Sequence, residues 1–369
     1  MYDAIFLRRI LEYEAIEDSI KALMDDPSVS SVLINPSASS YSIYNAIPAT
    51  KRAEGPSPIV TLKATKNLVE MQGMRNAHLK DAVALCDFLA LLEKEVSMEG
   101  HWDELSAANA SQAFRRQQHH YVQPSFGTIS GFGPNGAIIH YEPSPETNLP
   151  LDTSSLYLLD SGAQFMDGTT DVTRTVHFGT PTAQQVRAYT RVLQGQMEFA
   201  SIVFPAGTIP QRYRDTGQEV SETGCVRLAS LLSYLYEDGL DYPHGTSHGV
   251  GMFLYVHEAT RPAFGIGEFV SDEPGFYVDG EYGIRLENVV EVVEFVTPYN
   301  FSGTSMTFKE TTLVPYEPKL IDTTILTQQQ CGLLNGYHAR VREEVGQEMV
   351  VQGLLQGYAW LLSKTESLC

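Results

Sequence analysis

Apolar residues return at helical spacing from Leu68 through Met71, Leu79, Val83 and Phe88 to Leu92, so the segment after the turn-rich KRAEGPSPI predicts a long helix with one buried stripe. Upstream, a short amphipathic helix from Glu12 to Asp25 precedes two runs, SSVLI and SYSIYNAI, that read as strands. These elements hold too little apolar material for a core of their own. Residues 1–55 therefore read as the tail of a domain whose remainder is not in the chain, with a boundary near Glu54 to Pro58.

Thr182 and Thr327 are each followed three residues later by a glutamine, Gln185 and Gln330, the reciprocal hydrogen-bonding signature of a helix start. Gly239 and Gly346 read as stops. Strand candidates are FGTISGFG, GAIIHYE, SLYLLDSGAQF, TTDVTRTVHFG, GVGMFLYVH, GEFVSDEPGFYV and GIRLENVVEVVEFV. Helices flanking a long, curved, largely antiparallel sheet accommodate this order, an α+β fold.

Composition narrows the function classes. The 369 residues, 43% hydrophobic, suffice for a full-sized core. Cys86, Cys225, Cys331 and Cys369 lie far apart with no CxxC pair, so no disulfide framework or zinc knuckle is expected, and a reducing cytoplasm fits best. Charges interrupt every apolar stretch of the N-terminus, unlike a signal peptide, and no run reaches the roughly 18 apolar residues of a membrane span. Net charge is 25 minus 45, or −20, which repels phosphate backbones and argues against nucleic acid as a partner.

Some of that acid sits where a core is expected. Asp160 ends the apolar run LYLL, Glu287 divides GIRL from NVVEVV, and Asp171 is flanked by β-branched residues in TTDVTRT. A buried carboxylate without a counter-charge costs several kcal/mol, so each needs a cation. His248 lies among glycines in HGTSHGVG, where backbone can approach a ligand closely. On strand parity Arg285 and Glu287 share one face, opposite Ile284, Leu286 and Val290. An oxygen-rich set with one imidazole suits Mn²⁺, Co²⁺ or Zn²⁺, and two such ions about 3.5–4 Å apart can hydrolyse amides at neutral pH.

The stretches GPNGAIIHY, LLDSGAQFMDGTTDVTRTVHFGTPT, GLDYPHGTSHGVGMFLYVHE, DEPGFYVDGEYGIRLENVV and LTQQQCGLLNGYHARVREEV together resemble aminopeptidase P, the Xaa-Pro aminopeptidase of the creatinase and methionine aminopeptidase superfamily. The resemblance runs from about residue 28 to the C-terminus. It implies a pita-bread catalytic domain, residues 56–369, behind a remnant of a noncatalytic creatinase-type α/β domain. It also implies two divalent ions, Mn²⁺ first, with Asp160 on one, His248 and Glu273 on the other, and Asp171 and Glu287 bridging. A hydroxide between them would attack the scissile carbonyl, with Glu273 as general base. His140 would bind substrate near the scissile bond, His244 would border the proline pocket, His257 would stabilise the oxyanion, and Arg285 would also contact substrate. A cytoplasmic homodimer is the corresponding expectation.

His119 and His120, and the helical His78 and His338, read as structural. Three features depart from the family pattern. Ser247 replaces a glycine and would be strained if φ there were positive. The stretch from His257 to Glu273 is short, and PQRYRDTGQEVSETGCVRL is long. The rival expectations are a prolidase-like dipeptidase and a noncatalytic partner-binding module.

Overall fold

Asn67 starts the long helix by accepting from the backbone amides of Val69 and Glu70, while the Glu70 carboxylate accepts from the amide of Asn67. The structure, a computed structural model, describes residues 11–98, 100–208, 228–261, 263–299 and 303–369, with 228–232 in backbone only. The 210–228 insertion lies outside the described residues but for its last, and Cys225 lies outside them. The chain forms two compact units, one running to Leu62 and the other from Lys63 to Cys369.

The first unit contains α1 (Ile16–Met24), β1 (Val32–Ile34), α2 (Tyr41–Ala46) and β2 (Arg52–Glu54), with the strands parallel and a small core of Met24, Ile34 and Ile47. SYSIYNAI is thus a helix, not a strand: the Ser40 hydroxyl accepts from the Ile43 amide and caps it. After α3 (Pro58–Ala64) come α4 (Leu68–Ser97), α5 (Glu104–Arg115), β3 (Tyr121–Pro124), β4 (Ile129–Phe132), β5 (Leu156–Ser161), β6 (Ala163–Phe165), β7 (Gly168–Thr169) and β8 (Val172–His177). Then follow α6 (Ala183–Ser201), β9 (Val203–Pro205), α7 (Leu228–Glu237), β10 (Phe269–Asp272), β11 (Gly275–Val278), β12 (Tyr282–Arg285), β13 (Asn288–Phe295), β14 (Ser305–Glu310), α8 (Gln328–Gln352) and α9 (Leu355–Lys364).

Every strand pair of the second unit is antiparallel: β4-β5-β8, β3-β6-β7, β11-β12 and β10-β13-β14-β9. Helices α4, α6 and α8 pack on these sheets through Val83, Phe88, Tyr189, Val192, Val341 and Val345, closing one main core with Leu156, Tyr157 and Leu286. Both predicted capping boxes form, at Thr182 and Thr327. Gly239 has φ +71° after α7, as a stop requires. Gly346, however, lies inside α8, where a Cβ would meet the Tyr358 ring at 3.0 Å; it lets α9 approach, and Gly353, at φ +75°, ends the helix.

Two predicted strands are loops. Just ahead of GAIIHYE, Gly133 takes φ +53° and Pro134 opens a 3-10 turn over Gly133–Ala137 that runs into it, so His140 projects from a loop. GVGMFLYVH makes bridges at Gly249 alone, to Val270 and Glu258, and beyond it is held as a loop by the Gly251 amide on Tyr255 O (3.0 Å) and the Leu254 amide on Gln164 Oε1 (2.7 Å). The cysteine expectation also fails: Cys331 and Cys369 form a disulfide, because α9 folds back along α8 and Asn335 binds both Leu368 N and Cys369 O. No described helix is long and apolar enough to cross a membrane.

Candidate metal centre

Chain reversals bring the acids together. Asp160 is next to last in β5, paired with Ile129 and Thr173; Asp171 sits in the turn between β7 and β8, and Glu287 in the break between β12 and β13. Glu273 follows β10. The segment carrying His248 lies along that strand, its amide donating to Ser271 Oγ (2.9 Å) and its carbonyl accepting from the Ser271 amide (2.8 Å). The result is that one ligand atom each from Asp171, His248 and Glu287 lies within 4.8 Å of the others. His248 Nε2 is 3.4 Å from both Asp171 Oδ2 and Glu273 Oε1. All five predicted ligands line one cavity of about 540 Å³.

The electrostatics call for cations. Burial raises Asp171 to about 6 and Glu273 to about 7, and lifts Glu287 well above the carboxylate range, each reinforced by neighbouring carboxylates. Burial opposes a charged His248, but Asp171 and Glu273 outweigh it and raise the imidazole to about 9. Among the described residues, Asp160 Oδ1 is buried with no hydrogen-bond partner. This donor set, four carboxylates and an imidazole with an orphaned carboxylate oxygen, fits hard or borderline divalent ions. Thr173 donates to Glu287 Oε2 (2.7 Å) and Ser271 to Glu273 Oε1 (3.1 Å), fixing ligand orientation.

His140, His244 and His257 line the same cavity. Arg285 lines it too, yet is only 2% exposed, and its donors reach Asp160 Oδ2 (2.7 Å), the Tyr277 oxygen (2.8 Å) and Thr173 Oγ1 (3.3 Å). Because Tyr277 accepts from Arg285, its own hydroxyl donates to His244 Nε2 (2.7 Å), leaving His244 Nδ1 to donate to Gly245 O (2.8 Å). Burial pushes His244 down to about 4, so it is neutral. Tyr277 was invisible in the sequence as a site residue; its only signal was its place in a strand next to DEPG. Tyr277→Phe is expected to cut kcat about tenfold, the worth of a charge-assisted bond, with pH–rate profiles of both proteins as the check.

Ser247 lines the cavity without positive φ, so the expected strain is absent; left-handed backbone falls instead at Leu254 (φ 60°) and Tyr255 (φ 61°). The other histidines lie outside the cavity: His78 contacts Met74 O, His338 accepts from the Tyr316 amide, and His119 and His120 stack on the surface. Two buried acids that the sequence did not flag brace the site. Asp81 accepts from Arg115 (2.7 and 3.0 Å) and from Thr170, beside Asp171. Glu104 accepts from Phe132 N (2.6 Å), Tyr141 Oη (2.7 Å), Leu149 N (2.9 Å) and Asn135 Nδ2 (3.0 Å), framing the segment that presents His140.

Facing strands and loops thus bring Asp171, His248 and Glu287 together, with Glu273 beside His248 and Asp160 on the same cavity wall, the kind of donor set a metallopeptidase uses. The model for metallopeptidase family M24 matches residues 72–294, and that for the C-terminal region of peptidase M24 matches residues 304–368. The chain belongs to family M24. It is 43% identical over 364 residues to Xaa-Pro aminopeptidase 2 of Sus scrofa, which covers 97% of this chain but 51% of that protein. The chain thus spans about half the length of such curated relatives. The crystal structure of X-prolyl aminopeptidase from Caenorhabditis elegans, described as a cytosolic enzyme with a di-nuclear active site, superposes with TM-score 0.86 at 35% identity, covering 96% of this chain and 57% of that one. X-Pro aminopeptidase from Thermotoga maritima shares the fold, with TM-score 0.60 at 20% identity, over 84% of this chain and 79% of its own. The fold is the α+β pita-bread arrangement.

Proposed function

We propose that this chain hydrolyses the peptide bond between an N-terminal residue and a following proline, using two divalent ions, Mn²⁺ first. The observation that carries this is the convergence of Asp171, His248 and Glu287 within 4.8 Å, with Glu273 at 3.4 Å from His248 and Asp160 on the same cavity wall. In this proposal Asp160, Asp171, His248, Glu273 and Glu287 hold the ions, which supply Lewis acidity and lower the pKa of water.

The chain's own groups do the rest. Glu273, oriented by Ser271, accepts the proton of the attacking water and returns it to the leaving nitrogen. His257, its ring 4.1 Å from that of His248, donates to the developing oxyanion. His140 holds the substrate near the scissile bond, and neutral His244, its ring tilted against that of Tyr242 at 4.8 Å, borders the proline ring. Arg285 holds Asp160 and, through Tyr277, the His244 tautomer, so we assign it to positioning these groups rather than to direct contact with substrate.

Residues 1–55 are proposed as part of a noncatalytic domain and residues 56–369 as the catalytic one; the compact units divide a few residues later, after Leu62. For compartment we propose the cytoplasm, after the cytosolic C. elegans relative. The Cys331–Cys369 disulfide counts against it, since glutathione keeps cytosolic thiols reduced; alkylation at lysis decides, free thiols supporting the cytoplasm and an intact disulfide an oxidising compartment. Sedimentation of the purified chain reads the homodimer.

The deciding experiment compares Xaa-Pro-Ala with Xaa-Ala-Ala, N-acetylated Xaa-Pro-Ala and, as the dipeptidase control, Xaa-Pro, with Mn²⁺ added. Only the first is expected to turn over. Equal cleavage of the alanine peptide would replace this assignment with a broader aminopeptidase, and cleavage confined to the dipeptide Xaa-Pro would replace it with a dipeptidase.

A further inference from the structure

Among the described residues five carboxylates line the cavity, and four of them belong to the proposed ligand set, where two divalent ions would match their charge. The fifth is Glu142. It is solvent-exposed at the cavity wall and has no hydrogen bond or ion pair among the described residues. Its position is nonetheless specific: a Cβ on Gly127 would lie 3.2 Å from Glu142 Oε1, 3.4 Å from Cδ and 3.6 Å from Oε2. The carboxylate therefore lies flat over the Gly127 backbone, in space that a side chain there would take. Gly127 itself lines the cavity, with Phe126 and Ile139 beside it.

Among the described residues the cavity offers this carboxylate no free cation, since the guanidinium of Arg285 is bound to Asp160 and Tyr277 and the His248 imidazole lies against Asp171 and Glu273. An unpaired acid beside apolar side chains is the complement of a long basic side chain, whose methylenes lie along the apolar wall while its head meets the carboxylate.

We propose that Glu142 is a specificity-determining residue that selects substrate peptides carrying a lysine or arginine side chain next to the proline. The proposal rests on the assignment of the cavity as an Xaa-Pro peptide site. Every substrate has an α-amine, so the selectivity must come from a second, side-chain cation. A solvent-screened pair of this kind is expected to favour lysine about 1.5- to fivefold, and the advantage should shrink in high salt.

The test uses C-terminally amidated Lys-Pro-Ala against norleucine-Pro-Ala, and Ala-Pro-Lys against Ala-Pro-norleucine, on the Mn²⁺-supplemented full chain. At one of the two positions lysine is expected to give the higher kcat/KM, the ratio to fall to about one in Glu142→Gln, and to invert in Glu142→Lys. Lysine-to-norleucine ratios unchanged by Glu142→Gln at both positions would overturn the proposal. If the parent cleaves none of the four, the Xaa-Pro assignment fails, and calorimetric Kd ratios for the same pairs decide Glu142 separately. A lysine preference in binding that disappears in Glu142→Gln supports its role, and equal ratios reject it.

Discussion

Asp171→Asn protein is expected to fold, to lose most of its bound metal, and to lose activity by more than about a hundredfold. The last figure is a lower bound, since removing a group that merely supports a metal ligand already costs about 10- to 100-fold. Asparagine keeps the shape of the side chain in the turn between β7 and β8 but removes the charge shared with Glu287, His248 and Glu273. Asp171 is 3% exposed and burial works against its ionisation, so neutralising it removes a repulsive partner of three other carboxylates. The metal-free variant should therefore melt no lower than the metal-free parent. Added Mn²⁺ should raise the melting temperature of the parent alone, because a ligand stabilises only the state that binds it. Full metal content in the variant by elemental analysis would sink the bridging assignment.

The proposed metal acids stood out in the sequence because they broke a pattern. Asp160 and Glu287 interrupt apolar strand runs, and a carboxylate is tolerated there only against a cation. The capping boxes at Thr182 and Thr327 were legible because their chemistry is local, three residues apart. Where a tertiary contact overrides a local signal, the sequence misleads. Gly346 looks like a helix stop and is a contact surface for Tyr358. AIIH has strand propensity, but the φ of Gly133 and the 3-10 turn after it spend that segment on presenting His140. The Cys331–Cys369 proximity needs the α8–α9 reversal, which spacing alone cannot reveal.

The bracing residues were hidden for a different reason. Tyr277, Asp81 and Glu104 find their partners across 8, 34 and 28 to 45 residues of chain, and each looks ordinary in place. Glu104 in particular sits in the first turn of α5 beside the cap Asp103, where an acid is normally an exposed complement to the helix dipole. Only the fold shows it to be 0% exposed.

That burial sets the second large effect, the response to Glu104→Gln. The native carboxylate has acceptors only, and each oxygen is used: Oε1 by the amide of Phe132, Oε2 by the Tyr141 hydroxyl and the amide of Leu149, and both by Asn135. A glutamine fits the space but turns one acceptor into a donor pair facing donors. Whichever way it points, at least one buried amide loses its partner and meets an N–H instead. Each unsatisfied buried donor costs about 1–3 kcal/mol, so a loss of about 2–5 kcal/mol is expected in urea unfolding. Those contacts frame the segment from Phe132 to Leu149, with His140 at its centre, so the damage should extend to catalysis. In protein kept folded below its melting temperature, kcat for an Xaa-Pro peptide should fall at least tenfold. Metal content should stay at the parental level, because no proposed metal ligand lies in that segment. A variant that loses metal together with activity would show that Glu104 supports the whole centre rather than the His140 segment.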